Sequence, residues 1–284
     1  MTPAVSIVLV AFDMGEQIVR TVSSLSPTIQ RGVQSSDYEI VVVDNGSSEG
    51  IDSEAAEARG GDVRWIRVED ASPSPAPAVN LGIRDARAPL VGAMIDGARL
   101  ASPGLIRAAI LAARLDPRAI AVTHGYHLGR EPQQLAVASG YDERAEAALL
   151  AGAGWEEDGY RLFDVSVLSP SSRNGVLAMP NESNALFMQA EMWQELGGYD
   201  EAFTSPGGGL VNLDVLARAC ALPGARPVIL LGEGTFHQVH GGYTTNSPVS
   251  RWDSQQDEYV SLRGAPFRPP EANPWMFGLR APGD

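Results

Sequence analysis

The apolar residues of this chain fall into short runs separated by polar or helix-spaced segments. Val5-Ser6-Ile7-Val8-Leu9-Val10-Ala11 is one such run, and Tyr38-Glu39-Ile40-Val41-Val42-Val43 is a second. Short runs rich in β-branched residues predict strands buried on both faces. Between them Ile18, Val19, Val22 and Leu25 recur at helical spacing until Pro27 stops the pattern. The alternation continues with a short helix over 53–59, a strand over 63–68 and a rigid, extended loop over 72–77. A helix containing Asn80 and Ile83 then leads to a buried strand over 90–95. Such alternation predicts a mostly parallel, doubly wound α/β sheet.

Further along, Ser102-Pro103-Gly104 reads as a helix start, with Ser102 as N-cap and Pro103 in the first turn. A strand follows over 119–123. Residues 128–175 are polar and yield one pattern, a helix over 142–150. A strand over 185–188, a helix over 190–196, a Gly-rich loop over 206–209, a helix over 213–221 and a strand over 227–231 complete the series. Residues 241–284 are Pro-rich and read as a loop-like tail packed over the site. The chain shows no internal repeat and no second domain. The expected division is a single domain over 1–240, followed by the tail.

Composition narrows the chemistry. The 284 residues carry a formal net charge of −14, which argues against nucleic-acid binding and against attraction to anionic membranes. There is no lysine: all 21 basic residues are arginine. A P-loop lysine and a lysine Schiff base are therefore excluded. The single cysteine, Cys220, falls in a helical pattern and reads as core. The chain enters its first strand directly, without a signal-peptide pattern, and no apolar run approaches the roughly 18 residues of a spanning helix. The expectation is a cytoplasmic protein.

Strand ends carry the candidate chemistry. The first strand ends at Phe12-Asp13-Met14-Gly15-Glu16, the second at Asp44-Asn45-Gly46-Ser47-Ser48, and the strand over 90–95 at Asp96-Gly97-Ala98-Arg99. In open α/β sheets ligands bind beyond the carboxyl ends of strands. Acids there suggest a nucleotide site built from carboxylates. Glu16 reads as a first-turn helix acid. His237 and His240 stand three apart, followed by Gly241-Gly242, and neutral imidazole beside carboxylate suits Mn²⁺-like metals. His124 and His127 read as strand-end and loop residues.

These motifs resemble the family 2 glycosyltransferases of the GT-A fold. Val10-Ala11-Phe12-Asp13-Met14, Val42 to Ser47, Asn80-Leu81-Gly82 and Gly197-Gly198-Tyr199-Asp200-Glu201 stand in the family's order. The resemblance implies a Rossmann-like, mostly parallel sheet flanked by helices, with a nucleotide-binding half over 1–100 and an acceptor half over 101–240. It also implies transfer of a sugar from a UDP-, dTDP- or GDP-linked donor to a hydroxyl on a glycan or glycan precursor, as in polysaccharide biosynthesis. By it, Ala11, Asp13, Asp44, Asn80, Asp96 and Arg99 are donor-binding candidates.

Two positions depart from the family's pattern. Asp96 fits the first acid of its Asp-X-Asp, but Ala98 replaces the second. Either Asp96 holds a divalent metal (Mn²⁺ or Mg²⁺) with His237 and His240, or Arg99 neutralises the leaving diphosphate without a metal. Asn212 stands where the family has its catalytic base, which leaves Glu182 and Asp214 as base candidates. The tail arginines Arg251, Arg263 and Arg268 are candidate diphosphate clamps. The losses at Ala98 and Asn212 keep a non-catalytic module, binding nucleotide-sugar or glycan or partnering an active enzyme, as the alternative. A nucleotidyltransferase is disfavoured, because the loop after the first strand has one glycine and no basic residue.

Overall fold

The computed structural model describes residues 2–49, 51–59, 61–241 and 251–279. β1 (Val5–Ala11), α1 (Gly15–Ser24), β2 (Tyr38–Asp44), α2 (Ser53–Glu57), β3 (Asp62–Arg67), α3 (Ala76–Asp85) and β4 (Leu90–Met94) follow the alternation expected from the sequence. β5 (Arg99–Ala101), α4 (Leu105–Ala112), β6 (Ala119–Leu128), α5 (Gln133–Ala138), α6 (Glu143–Ala153) and β7 (Ser166–Leu168) come next. β8 (Leu186–Gln189), α7 (Ala190–Leu196), α8 (Val211–Cys220), β9 (Arg226–His237), α9 (Trp252–Arg263) and β10 (Trp275–Gly278) complete the order.

The strands form one sheet in the order β10-β9-β6-β8-β4-β1-β2-β3, with β5 on β9 and β7 on β6. Along the main path pairing is parallel except at β8, which runs antiparallel to both β4 and β6. β5 and β7 are also antiparallel to their partners. β1 and β2 are buried at every position because both faces are covered. Val8, Val10, Val41 and Val43 pack with Val79, Trp193, Tyr199 and Leu216. Ile7, Leu9, Ile40 and Val42 pack on the other face with Ile18, Val22, Leu105 and Ile106. The period of two in the pleat sends alternate residues to the two layers. α3 sits close to the sheet at Gly82, where a Cβ would lie 2.4 Å from Val8 Cγ1.

The structure differs from the sequence expectations in four places. β6 and β9 run beyond their expected ends, β6 through His124 and His127 and β9 to His237. Most of those added residues are buried, but they mix small and polar residues with Tyr126, Leu128 and Phe236, so the continuous apolar run stops before the strand does. Ser102 does not cap α4, whose N-cap is Gly104. Its hydroxyl donates to Glu233 and accepts from the Gly234 N–H, tying the chain to β9 instead. The 128–175 stretch contains α5 and β7 besides the expected helix. The 241–284 stretch is not wholly loop: α9 is a polar helix with little apolar periodicity, and β10 extends the sheet edge parallel to β9. Among the described residues no helix is long and apolar enough to cross a membrane.

Candidate functional site

A cleft of about 1250 Å³ opens at the carboxyl ends of β1, β2 and β4. Asp13, Asn45, Asp96, Arg99, His127, Glu182, Asn212, His237 and His240 all line it. The volume exceeds that of a usual single-ligand pocket, leaving room for two substrates.

At one end, Asp13 adopts a left-handed backbone with φ 50°, a conformation that aspartate tolerates through local hydrogen bonds. Its N–H donates to Ser47 Oγ at 2.9 Å, and its Oδ1 accepts from Ser48 N at 2.7 Å and Ser48 Oγ at 2.8 Å. Asp44 is buried. Its Oδ1 accepts from Ser47 N at 2.9 Å and its Oδ2 from Arg67 Nη1 at 2.5 Å. Asp44 therefore does not reach the cleft. It holds the Ser47 turn, and the next residue, Asn45, faces the cleft instead, with its Nδ2 donating to Ser72 O. Ala11 is buried behind this end and pairs with Asp44 in register.

The centre is built by three strands. Across the sheet His127 on β6 pairs with His237 on β9, and His237 pairs with Arg99 on β5. Asp96 joins this row from the end of β4. The turn there needs glycine at 97, where a Cβ would lie 2.5 Å from the Val10 carbonyl oxygen. His237 Nε2 lies 2.7 Å from Asp96 Oδ2, and His240 Nε2 lies 3.7 Å from Asp96 Oδ1. The two imidazole Nε2 atoms are 3.4 Å apart. Burial opposes ionisation of Asp96, but the facing His237 and His240, with Arg99, hold its carboxyl well below the usual carboxylate range. Burial pushes His240 down to about 4 even though Asp96 pulls the other way. His240 is thus a neutral imidazole with a lone pair at neutral pH.

This donor set fits a divalent cation. His237 Nδ1 meets Gln133 Oε1, whose amide nitrogen donates to the Gln238 carbonyl. His237 therefore donates from Nδ1 and turns Nε2 toward Asp96, where a bound cation would take the place of a proton. A carboxylate and two imidazoles with ligand atoms all within 4.8 Å of one another suit Mn²⁺-like ions. Gln133 is the outer partner that fixes the ring.

Arg99 is buried and held on three sides. Its Nη1 donates to Asn184 Oδ1 at 3.0 Å, its Nε lies 3.5 Å from Asp96 Oδ2, and its Nη2 lies 3.6 Å from Glu182 Oε1. Glu182 Oε1 also accepts from Ser171 Oγ at 2.8 Å. Opposite, Asn212 Oδ1 accepts from Ser183 Oγ at 2.7 Å.

Besides Ala11 and Asp44, two further sequence candidates lie outside the cleft. Asn80 is a brace: its amide pairs with both the N–H and the C=O of Tyr199 and donates to Glu201. Asp214 is buried, with Arg218 Nε on Oδ2 at 2.7 Å and Arg263 Nε on Oδ1 at 2.7 Å. A carboxylate so engaged cannot accept a proton from a substrate in the cleft, and the same pairing removes Arg263 as a diphosphate clamp. Asp214→Ala is expected to destabilise the fold by about 3 kcal/mol, the lower end for breaking a buried ion pair. The urea midpoint should fall, and an unchanged midpoint with lost activity would instead point to a base. Gly242 lies outside the described residues.

Glu146 on α6 supports the histidine pair from behind. Its Oε2 accepts from the Val239 N–H at 2.8 Å, between His237 and His240, and its Oε1 is buried without a partner. Burial lifts its pKa from 4.5 to about 8, against the pull of that hydrogen bond. Between those values the native state holds an extra proton, so stability falls as pH rises through that window. Glu146→Gln is expected to remove this fall, matching the wild type at pH 4 and exceeding it at pH 8.5 in denaturant unfolding.

His127, Gln133 and Asn45 are cleft or supporting residues that sequence reasoning missed. For Asn45 a signal existed, since strand alternation puts it on the opposite face from Asp44. For His127 and Gln133 none existed, because cross-strand register is not written in local sequence.

Comparisons with known proteins agree with this geometry. A search of curated proteins finds no match. Among solved structures, S. aureus TarS residues 1–349 in complex with UDP-GlcNAc aligns with a TM-score of 0.61 at 11% identity, covering 91% of this chain and 65% of that one. A mannosyltransferase, PcManGT from Pyrobaculum calidifontis in complex with GDP-Man and Mn²⁺, aligns with a TM-score of 0.51 at 16% identity, covering 85% and 58%. The chain thus spans less than two thirds of the length of either neighbour, and at these identities the likeness shows the fold, which is GT-A. The sequence model described as glycosyl transferase family 2 matches residues 6–169, more than half of the chain, from β1 through the cleft residues Asp13, Asn45, Asp96, Arg99 and His127, and on that match the chain belongs to glycosyl transferase family 2.

Proposed function

We propose that this chain transfers a sugar from a nucleoside-diphosphate donor to a hydroxyl of a glycan or glycan precursor. The observation that carries the reading is the convergence of Asp96, His237 and His240 beside Arg99, at the floor of a cleft reached by Asp13 and Asn45. The nucleotide sugars bound by TarS and PcManGT support the donor class. Asp13 and Asn45 contact the nucleoside, with Asp44 acting through the Ser47 turn. Asp96, His237 and His240 hold a divalent cation, which when bound supplies positive charge to the departing diphosphate. Arg99 adds a buried positive charge on the same side. Glu182 takes the proton from the acceptor hydroxyl, a role supported by its place on the cleft wall and by the burial of Asp214.

The non-catalytic reading draws on Asn212, whose amide cannot act as a base. Turnover separates the two. Incubation with UDP-, dTDP- and GDP-sugars plus a glycan acceptor is expected to release nucleoside diphosphate from one donor. Donor binding without release, across a panel of acceptors, would favour the binding module.

A further inference from the structure

His127 has no role in the reading above, yet it stands in the same cross-strand row as His237 and Arg99 and lines the cleft. Its ring centroid is 5.6 Å from that of His237. The backbone N–H of Gln133 donates to His127 Nδ1 at 2.8 Å. A backbone amide can only donate, so Nδ1 carries the lone pair, and the neutral ring has its proton on Nε2. The side chain of the same Gln133 accepts from His237 Nδ1, so that ring is held by its Nδ1–H. One residue thus orients two neighbouring imidazoles oppositely, His237 donating from Nδ1 and His127 left with its N–H on Nε2. Among the described residues His127 Nε2 has no hydrogen-bond partner in the protein.

We propose that His127 is a fixed, neutral hydrogen-bond donor to a phosphate oxygen of the donor's diphosphate, and not a further metal ligand. This rests on the nucleotide-sugar reading of the cleft. The chemical reasons are local. The adjoining Asp96–His237–His240 cluster and Arg99 make this end of the cleft the place for an anion. A ring whose cleft-facing nitrogen bears hydrogen cannot ligate a cation through that nitrogen, and it can donate to an anionic oxygen. Because the tautomer is imposed by a backbone group, no substitution at Gln133 other than proline removes it.

The test uses the full chain and two substitutions that separate the ring nitrogens. His127→Asn places an amide oxygen near Nδ1, keeping the acceptor for Gln133 N–H but losing the reach of Nε2. His127→Gln places an amide N–H near Nε2. UDP and GDP are titrated with Mn²⁺ into wild type and both variants, alongside uridine and guanosine. The diphosphate that binds wild type is expected to bind His127→Asn about tenfold or more weakly, as for a lost hydrogen bond to a charged group. It should bind His127→Gln within about threefold of wild type, and affinity for the nucleoside should be unchanged. Imidazole ¹⁵N shifts of the wild-type protein are expected to show His127 protonated on Nε2 and not on Nδ1. Unaltered diphosphate binding in a folded His127→Asn, or a His127 proton on Nδ1, would overturn the proposal alone. Failure of both diphosphates to bind wild type would overturn the nucleotide-sugar reading and this proposal with it.

Discussion

Asp96→Ala is expected to lower nucleoside-diphosphate release by about a hundredfold to a thousandfold, the range for removing one group that stabilises developing charge. The carboxylate faces His237 at 2.7 Å and His240 at 3.7 Å, so its loss leaves two imidazoles without the anionic member of the set. Arg99 keeps Asn184 and Glu182 as partners, and the fold should survive with a similar melting temperature. The loss is expected in donor affinity measured with Mn²⁺ as well as in turnover, while binding measured in EDTA should change little. A variant that kept its Mn²⁺-dependent affinity would remove Asp96 from the cation site and shift the charge-neutralising role to Arg99.

Glu182→Gln is expected to cost about 10²–10⁴ in turnover, the range for a general base, with donor binding within about threefold of wild type. The substitution keeps an oxygen to accept from Ser171 Oγ and removes only the basicity. The contrasting outcome is informative because Glu182 also lies 3.6 Å from Arg99. If its role were to balance that buried arginine, the variant would show a lower melting temperature and altered donor affinity, with turnover reduced only in proportion.

The parts of this molecule legible in its sequence are those set by local pattern. The apolar runs of β1 and β2 and the helical spacing of α1 specify elements buried on both faces, and these appear as expected. Asp96 was legible as an acid at a strand end. His237 and His240 were legible as a close pair beside glycine. Their grouping with Asp96 is expected from the family resemblance and not from local pattern, since it depends on β5 pairing with β9, and β5 is three residues with no periodic signal. The misplaced candidates fail for geometric reasons. Asp214 lies two residues after Asn212 on α8, a turn of roughly 200° about the helix axis, which swings it from the cleft into a buried cluster with Arg218 and Arg263. Asp44 and Asn45 exchange places through the alternation of the strand. Asn80 faces the Gly197–Tyr199 loop, and its hydrogen bonds to Tyr199 hold that loop rather than a ligand. His127 is not legible as a site residue because the expected strand ends at Thr123, while β6 continues to Leu128 through the buried polar residues His124 and His127, which the neighbouring strands support.

The most direct measurement is a calorimetric titration of UDP, GDP and dTDP into the full chain, each with Mn²⁺ and again with EDTA. One of the three is expected to bind in Mn²⁺ and to weaken markedly in EDTA, as a cation held by Asp96, His237 and His240 beside a diphosphate requires. Absence of binding by all three under both conditions would contradict a nucleoside-diphosphate site in this cleft.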